Sequence, residues 1–424
     1  MTDRATAWAV IKPKTALRRL GNGGGAVPIK SQASPVPKSG YVAAFSASGQ
    51  DVWLPHATHL GDALILSAVG ARCGKVFRAK GQWALVANTT PLGVGASHSP
   101  DFWFYRCNTE GWWIREGSAQ PFVRVRPTLD RAEPTPSLEE QGLIVRYLDH
   151  AELRIAKAIA TKQGLMNRLL ELRHVQIAEG ILGTDGTRLL NSSLPYNVPG
   201  SWRVEPFWSV APEMSISDQQ GKELLSVYLN RGVIRYSESA GQVHKPSLDL
   251  SGYQLVRPGD LVLNNQQAWR GSVGVSRYEG IVSPAYVVCS LGDRFDLEYA
   301  NMLFRSPAMV SQFEMASRGV GSIQRQLHRQ TLRVTKVPIP PMEEQVQIAK
   351  RLVAATKGLD LAIQSLETEI VLLKEYRTRL ISDAVTGKLD VREEAAKLPE
   401  IDPMELATVS ASENGDDEEA TDDD

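Results

Sequence analysis

Cysteine is scarce. Cys73, Cys107 and Cys289 are the only three in 424 residues, far apart and with no Cys-x-x-Cys pair. That excludes a disulfide framework and a thiolate metal site, and predicts buried, reduced thiols. Long apolar runs are missing too. The longest, Ala63 to Ala71, is far too short to span a bilayer, and residues 1–14 lack a basic region followed by an apolar core. The expected location is the cytoplasm, with no membrane partner. Catalytic signatures are equally absent. No Asn- or Asp-Pro-Pro-aromatic loop is present to hold a target amine. Gly70-Ala-Arg-Cys-Gly-Lys75 has too short a spacing for a phosphate loop, and Val76 stands where Ser or Thr is needed. His56 and His59 have no third ligand nearby in sequence, and carboxylates are scattered. The expectation is a chain that is not an enzyme and itself binds no metal or cofactor.

What is present is uneven charge. Residues 391–424 hold thirteen acids against two bases, so the overall net of −1 leaves residues 1–390 at +10. The surplus lies in two blocks, +8 over 1–133 and +3 over 191–337. Basic blocks suit a polyanionic partner, while the tail from Glu413 to Asp424 has the composition of a solvated, disordered segment.

The chain also repeats itself. Pro134-Thr-Pro-Ser-Leu-Glu-Glu-Gln141 returns 204 residues later as Pro338-Ile-Pro-Pro-Met-Glu-Glu-Gln345. The ungapped match continues through Ile144/Ile348, Leu148/Leu352, Leu169/Leu373, Arg173/Arg377 and Gly183/Gly387. Each copy reads as a long helix that opens on two glutamates at the positive end of its dipole. An apolar stripe of alternate four- and three-residue steps, the mark of a coiled-coil seam, runs along each. In the first it is Ile144, Leu148, Ala151, Ile155, Ala158, Lys162, Leu165, Leu169, Leu172 and Gln176. In the second it is Ile348, Leu352, Ala355, Leu359, Ala362, Leu366, Glu369, Leu373, Tyr376 and Leu380. Two helices of matching length are natural antiparallel partners, forming a stalk of roughly 50–60 Å; each packing on its own block is the alternative. Val145, Ile363 and Val371 are expected outside the seam.

The blocks are rich in Gly and Pro with short β-branched or apolar runs. Gly61-Asp62 and Gly259-Asp260 each lead into such a run, followed by Arg72-Cys-Gly-Lys-Val76 and Arg270-Gly-Ser-Val273. The fold class is α+β: two small blocks joined by two long antiparallel helices in a pseudo-two-fold repeat. The expected boundaries are 1–133 first block, 134–190 first helix and linker, 191–337 second block, 338–390 second helix and 391–424 acidic disordered tail.

Pro340-Pro-Met-Glu-Glu-Gln345, Tyr376-Arg-Thr-Arg-Leu-Ile381 and Ala384-Val-Thr-Gly-Lys-Leu-Asp390 resemble the opening and closing signatures of the conserved helices in specificity subunits of type I restriction-modification systems. Gly321-Ser-Ile-Gln324 and Phe45-Ser-Ala-Ser-Gly-Gln50 resemble further habits of that family, and the same motifs fit a related type II system. Pro136-Ser-Leu-Glu-Glu-Gln141 departs by lacking the second proline. The resemblance implies that each block is a target recognition domain reading half of a bipartite, asymmetric site on double-stranded DNA. It also implies that the helices dock two copies of a methylation subunit, which a restriction subunit joins. S-adenosylmethionine, ATP and Mg belong to those partners.

Arg, Lys, Asn and Gln carry donors and acceptors that match base edges and phosphates. The expected DNA contacts are Arg72, Lys75, Arg78 and Lys80 in the first block. In the second they are Asn264, Gln266, Gln267, Arg270, Arg318, Gln324 and Arg325. The expected helix contacts are Ile144, Leu148, Ile155, Leu169, Ile348, Leu352, Leu359 and Leu373. A protein-bridging adaptor that binds no DNA is the rival of another class.

Overall fold

The structure is a computed structural model that describes residues 8–21, 27–118, 120–182, 198–219, 221–229, 231–238, 247, 249–319 and 325–401, and the backbone of 188–189. Two compact units emerge, one of Met1–Ala160 with Glu369–Gly415 and one built on Thr161–Thr368. Among the described residues no helix is long and apolar enough to cross a membrane.

The first unit holds an antiparallel sheet in the order Leu17–Arg19, Thr89–Val94, Ala63–Ser67, Val76–Ala79. Leu64, Leu66 and Leu92 from this sheet pack with Phe102 and Trp103 of the helix Pro100–Cys107. A second sheet, in the order Gly49–Leu54, Val42–Ser46, Gln82–Leu85, His59–Leu60, completes the block. His59 is structural there, with its ring stacked on Trp83 at 4.2 Å and Nε2 2.7 Å from the Gly21 carbonyl.

In the second unit the antiparallel sheet runs Glu213–Met214, Tyr286–Ser290, Asp260–Asn264, Val273–Val275. Its apolar face packs on the helices Leu297–Phe304 and Pro307–Met315. Cys73, Cys107 and Cys289 are free and buried.

The two sheets share one register. Leu64 faces Arg78 and Leu92, and Leu261 faces Val275 and Cys289, so the sheets recur at an offset of 197 residues. The hairpin and long helix that follow recur at 204. Phe122–Val123 becomes Gln326–Leu327, Val125–Asp130 becomes Arg329–Val334, and Leu138–Ile181 becomes Met342–Val385. The difference of seven is taken up where the second block carries the extra helix Pro307–Met315. The sheet register therefore sets Trp269, not Arg270, at the place of Arg72, and Gly271 (φ 101°) at the place of Gly74 (φ 92°).

Each long helix is latched to its block by a buried glutamine. Gln141 is fully buried; its Oε1 accepts the Ser99 amide at 2.8 Å and its Nε2 donates to the Pro136 carbonyl at 2.9 Å. Gln345, 1% exposed, does the same with the Asp296 amide at 2.9 Å and the Pro340 carbonyl at 3.0 Å. Ser99 and Asp296 are themselves the N-caps of Pro100–Cys107 and Leu297–Phe304. The latch thus joins two helix starts whose amides lack intrahelical partners. Where the first copy lacks its second proline, Ser137 accepts the Glu140 amide through its hydroxyl at 3.2 Å, a cap that serves instead.

The long helices pair within both units. In the second, Arg173 meets Asp360, and Arg351 donates to the Gly180 carbonyl at 3.2 Å, an antiparallel progression. They approach closely there, since a Cβ on Gly180 would lie 2.5 Å from Leu352 Cδ2. In the first, Ile144, Leu148, Ile155 and Ile159 share a core with Ile370, Leu380 and Ala384. Ile348 and Leu352 lie in the core of the second unit, and Leu169, Leu359 and Leu373 are half-buried.

The seam differs from the expected one in one of its two rows, by one residue, on both helices. Glu152, Ile159, Met166 and Arg173 lie deeper than Ala151, Ala158, Leu165 and Leu172; Ala151 still packs against the core, whereas Leu165 and Leu172 are each 48% exposed. On the second helix Thr356, Ile363, Ile370 and Arg377 replace Ala355, Ala362, Glu369 and Tyr376. Ile363, expected outside, is buried, and Val145 packs on the core, whereas Val371 is exposed. The physical reason is that charged partners satisfy one another across the seam, so apolarity alone selects the wrong row.

The tail expected to be disordered from residue 391 is instead structured in its described part to Ile401, which contains the short helix Arg392–Lys397. It returns to the first long helix, where Arg146 donates to the Leu398 carbonyl and His150 Nε2 lies 2.8 Å from that of Pro399. The segment Glu413 to Asp424 lies outside the described residues.

Candidate nucleic-acid interface

In the second block the strand Asp260–Asn264 ends in a turn made by its own last side chain. Asn264 Oδ1 accepts the amides of Gln266 at 3.0 Å and Gln267 at 3.2 Å. A single 3-10 turn, Ala268–Arg270, follows and stops at Gly271, whose left-handed φ suits glycine. Trp269 Nε1 donates to the Gln266 carbonyl at 2.7 Å, which pins the indole to the loop.

Beside this loop lies the hairpin Ser317–Arg318 with Gln326–Leu327, tied on by the Leu327 amide donating to the Asn265 carbonyl at 2.9 Å. The hairpin brings Arg325 over Trp269 at 4.9 Å from the ring centroid, with Arg270 at 5.9 Å. A Trp flanked by two guanidiniums offers forked donors for guanine edges or phosphates on a rigid base. Arg270 and Arg318 are exposed. Arg325 is also held by Glu314 at 3.3 Å.

Of the amides read in the sequence, Asn264 shapes the turn and Gln267 is buried, 3.5 Å from Arg270 Nη1. Gln266 is half-buried at the loop's edge. Gln324 lies outside the described residues. Trp269 and the cross-loop packing of Arg325 were missed; an aromatic directly before Arg270 was the available signal.

The first block has the same arrangement of loop and hairpin. The Val123 amide donates to the Ala68 carbonyl at 2.9 Å, as Leu327 does to Asn265. Arg72 Nη1 donates to the Ser48 carbonyl at 2.7 Å, while Lys75 and Lys80 are exposed. Arg78 faces inward: its Nε lies 2.9 Å from Asp101 Oδ1, and its guanidinium sits 3.8 Å from the centroid of Phe104. An open groove of about 630 Å³ beside the hairpin is lined by Arg19, Phe122, Arg124 and Arg126. Arg124 is paired with Glu116 at 2.7 Å, and the Arg126 side chain is almost wholly exposed. Sequence reading missed this groove because its arginines are a hundred residues apart; the +8 block charge was the only trace.

A further basic cavity of about 270 Å³ in the second unit is lined by Arg173, His174, Arg270 and Arg305 among others. Burial first, then the charges of Arg173 and Arg305, hold the His174 imidazole below its usual range. Burial and Arg173 also lower Arg305 to about 10, against the opposing pull of Asp360. No group of three or more His, Cys, Asp or Glu suited to a metal ion occurs among the described residues.

Residues 269–370, from Trp269 into the second long helix, match the family described as Type I restriction modification DNA specificity domain. Among solved structures, a chain from work on complex assembly and conformational transition of the type I R-M system is 15% identical. That match covers 88% of this chain and 98% of that one at a TM-score of 0.50, a likeness of fold. The HsdS subunit from Thermoanaerobacter tengcongensis is 15% identical over 90% of this chain and 97% of its own, with a TM-score of 0.37. The S subunit of a type I restriction-modification system from M. genitalium is 10% identical over 89% and 96%, also at 0.37. The loop from Trp269, its hairpin and the first part of the helix Met342–Val385 thus lie in the stretch that is similar to the type I restriction modification DNA specificity domain.

Proposed function

We propose that this chain is the non-catalytic specificity subunit of a type I restriction-modification complex. Each block, 1–133 and 191–337, reads one half of a bipartite, asymmetric site on double-stranded DNA. The long helices, 134–190 and 338–390 with their links, scaffold two methylation subunits and through them the restriction subunits. S-adenosylmethionine, ATP and Mg act on those partners, in the cytoplasm. The observation that carries the reading is the duplication itself. Two sheets of one register each present a loop beside a hairpin, and each is latched by Gln141 or Gln345 to a long helix. A chain made of two like modules has two like seats for a partner and, with different loops, two different half-sites. Arg72, Lys75, Lys80, Gln266, Arg270, Arg318 and Arg325 are the DNA contacts in this reading, with Arg78 and Gln267 holding their loops in place.

Methylation-aware genome sequencing of cells with and without this gene tests it. The expected result is adenine methylation at a split, asymmetric motif only where the gene is present. Unchanged methylation alongside active partner subunits, or turnover of DNA by the purified chain alone, contradicts it.

A further inference from the structure

We propose that the cavity lined by Arg173, His174, Arg270 and Arg305 is a phosphate seat, in which a residue of the first long helix and residues of the second block hold the same anion. The lining joins three guanidiniums from separate parts of the sequence around about 270 Å³, room for a phosphate with its bridging groups. Asp360, 2.5 Å from Arg173, is the one carboxylate paired with a lining residue among the described ion pairs, so the cluster keeps a cationic surplus. Burial first, then the neighbouring arginines, hold the His174 imidazole below its usual range, which disfavours a further positive charge there. Ser306 and Pro307 also line the space, so the positive end of the nine-residue helix Pro307–Met315 opens on it.

Like charges gathered in a recess repel one another unless an anion answers them; Arg305 is depressed by burial first and then by the charge of Arg173. Guanidinium forks match the oxygens of phosphate in pairs. Arg270 lies both in this cavity and beside Trp269, so a DNA backbone following the readout loop has its phosphates at the mouth. A free phosphate compound presents the same group. Only the backbone source rests on the DNA reading; the seat itself does not.

The test is calorimetric titration of the full chain with inorganic phosphate at constant ionic strength. Saturable binding of one phosphate is expected, weakened at least tenfold by Arg305→Met and by Arg173→Gln, and partly kept in Arg305→Lys. Thermal melts in phosphate-free buffer check folding. Arg305→Met removes one of the clustered like charges, so it is expected to melt no lower than the parent. A parallel salt titration with duplex DNA separates the sources. If Arg305→Met lowers the slope of log affinity against log salt by about one, the seat holds a backbone phosphate. Loss of phosphate binding with an unchanged slope assigns it to a free phosphate compound. Phosphate binding that survives both variants overturns the proposal, as does an absence of binding together with an unchanged slope.

Discussion

Arg377 grips Glu152 by both carboxylate oxygens, with Nε at 2.8 and 2.9 Å and Nη2 at 2.5 Å, inside the seam between the two long helices. Arg173, at the matching position of the first helix, pairs with Asp360 on the second. The repeat thus sets an arginine from each helix against a carboxylate of the other. Such pairs fix register more than they add stability, because desolvation offsets much of the attraction.

Removing one partner should therefore cost more than removing both. Glu152 is 8% exposed, and Glu152→Ala takes both carboxylate oxygens away from the Arg377 guanidinium, a loss of about 3 kcal/mol. The double variant Glu152→Leu with Arg377→Leu should recover most of it. Urea denaturation of both single variants and the double one checks this; equal losses for single and double variants would refute it.

Arg270→Ala and Gln266→Ala should each weaken one half-site by about 1–3 kcal/mol and relax base preference there. Lys80→Ala, at an exposed phosphate-type position, should weaken all sequences alike and flatten the salt dependence. Binding of the assembled complex to a library of half-site variants distinguishes the two patterns. A uniform loss for Arg270→Ala would move the readout to another loop.

The separation of half-sites should follow helix length. Adding four residues after Lys162 and four after Thr368 lengthens both helices by about 6 Å, nearly two base pairs of rise, and roughly keeps the seam in phase. The recognised spacer should change by one or two base pairs while both half-site sequences stay the same. Methylation mapping reads both outcomes, and an altered half-site or an unchanged spacer in an active complex would falsify this model.

Stability should also carry a pH signature from Asp149. Burial raises its carboxyl above the usual range, although Tyr105 donates to its Oδ1 at 2.7 Å. A carboxyl raised in the folded state favours folding below its unfolded pKa, and that contribution is lost as pH rises through the folded value. At pH 7 the charged group is thus a cost. Asp149→Asn keeps an acceptor for Tyr105 and should be more stable than the parent chain at pH 7. The advantage should vanish as pH falls below about 3.9, the ordinary Asp value. Equal stability at pH 7 in chemical denaturation would remove Asp149 as the cause.

The two-module plan, the helix starts at Glu139-Glu140 and Glu343-Glu344, and the α+β blocks were legible in the sequence. They rest on local periodicity, capping chemistry and an ungapped repeat, which need no knowledge of distant neighbours. The inward row of the seam was not, because Glu152 and Thr356 are buried only through partners across the helix pair or along the turn. Neither was the equivalence of Arg72 with Trp269, which depends on strand register and on the helix Pro307–Met315 that shifts the repeat from 197 to 204 residues. Asn264 looked like a base reader until its turn showed its oxygen committed to two amides. The cluster of Arg173, Arg270 and Arg305 exists only in three dimensions, because nothing along the chain brings together side chains separated by up to 132 positions. Local order is written in neighbouring residues, whereas a binding surface depends on which distant residues packing brings face to face.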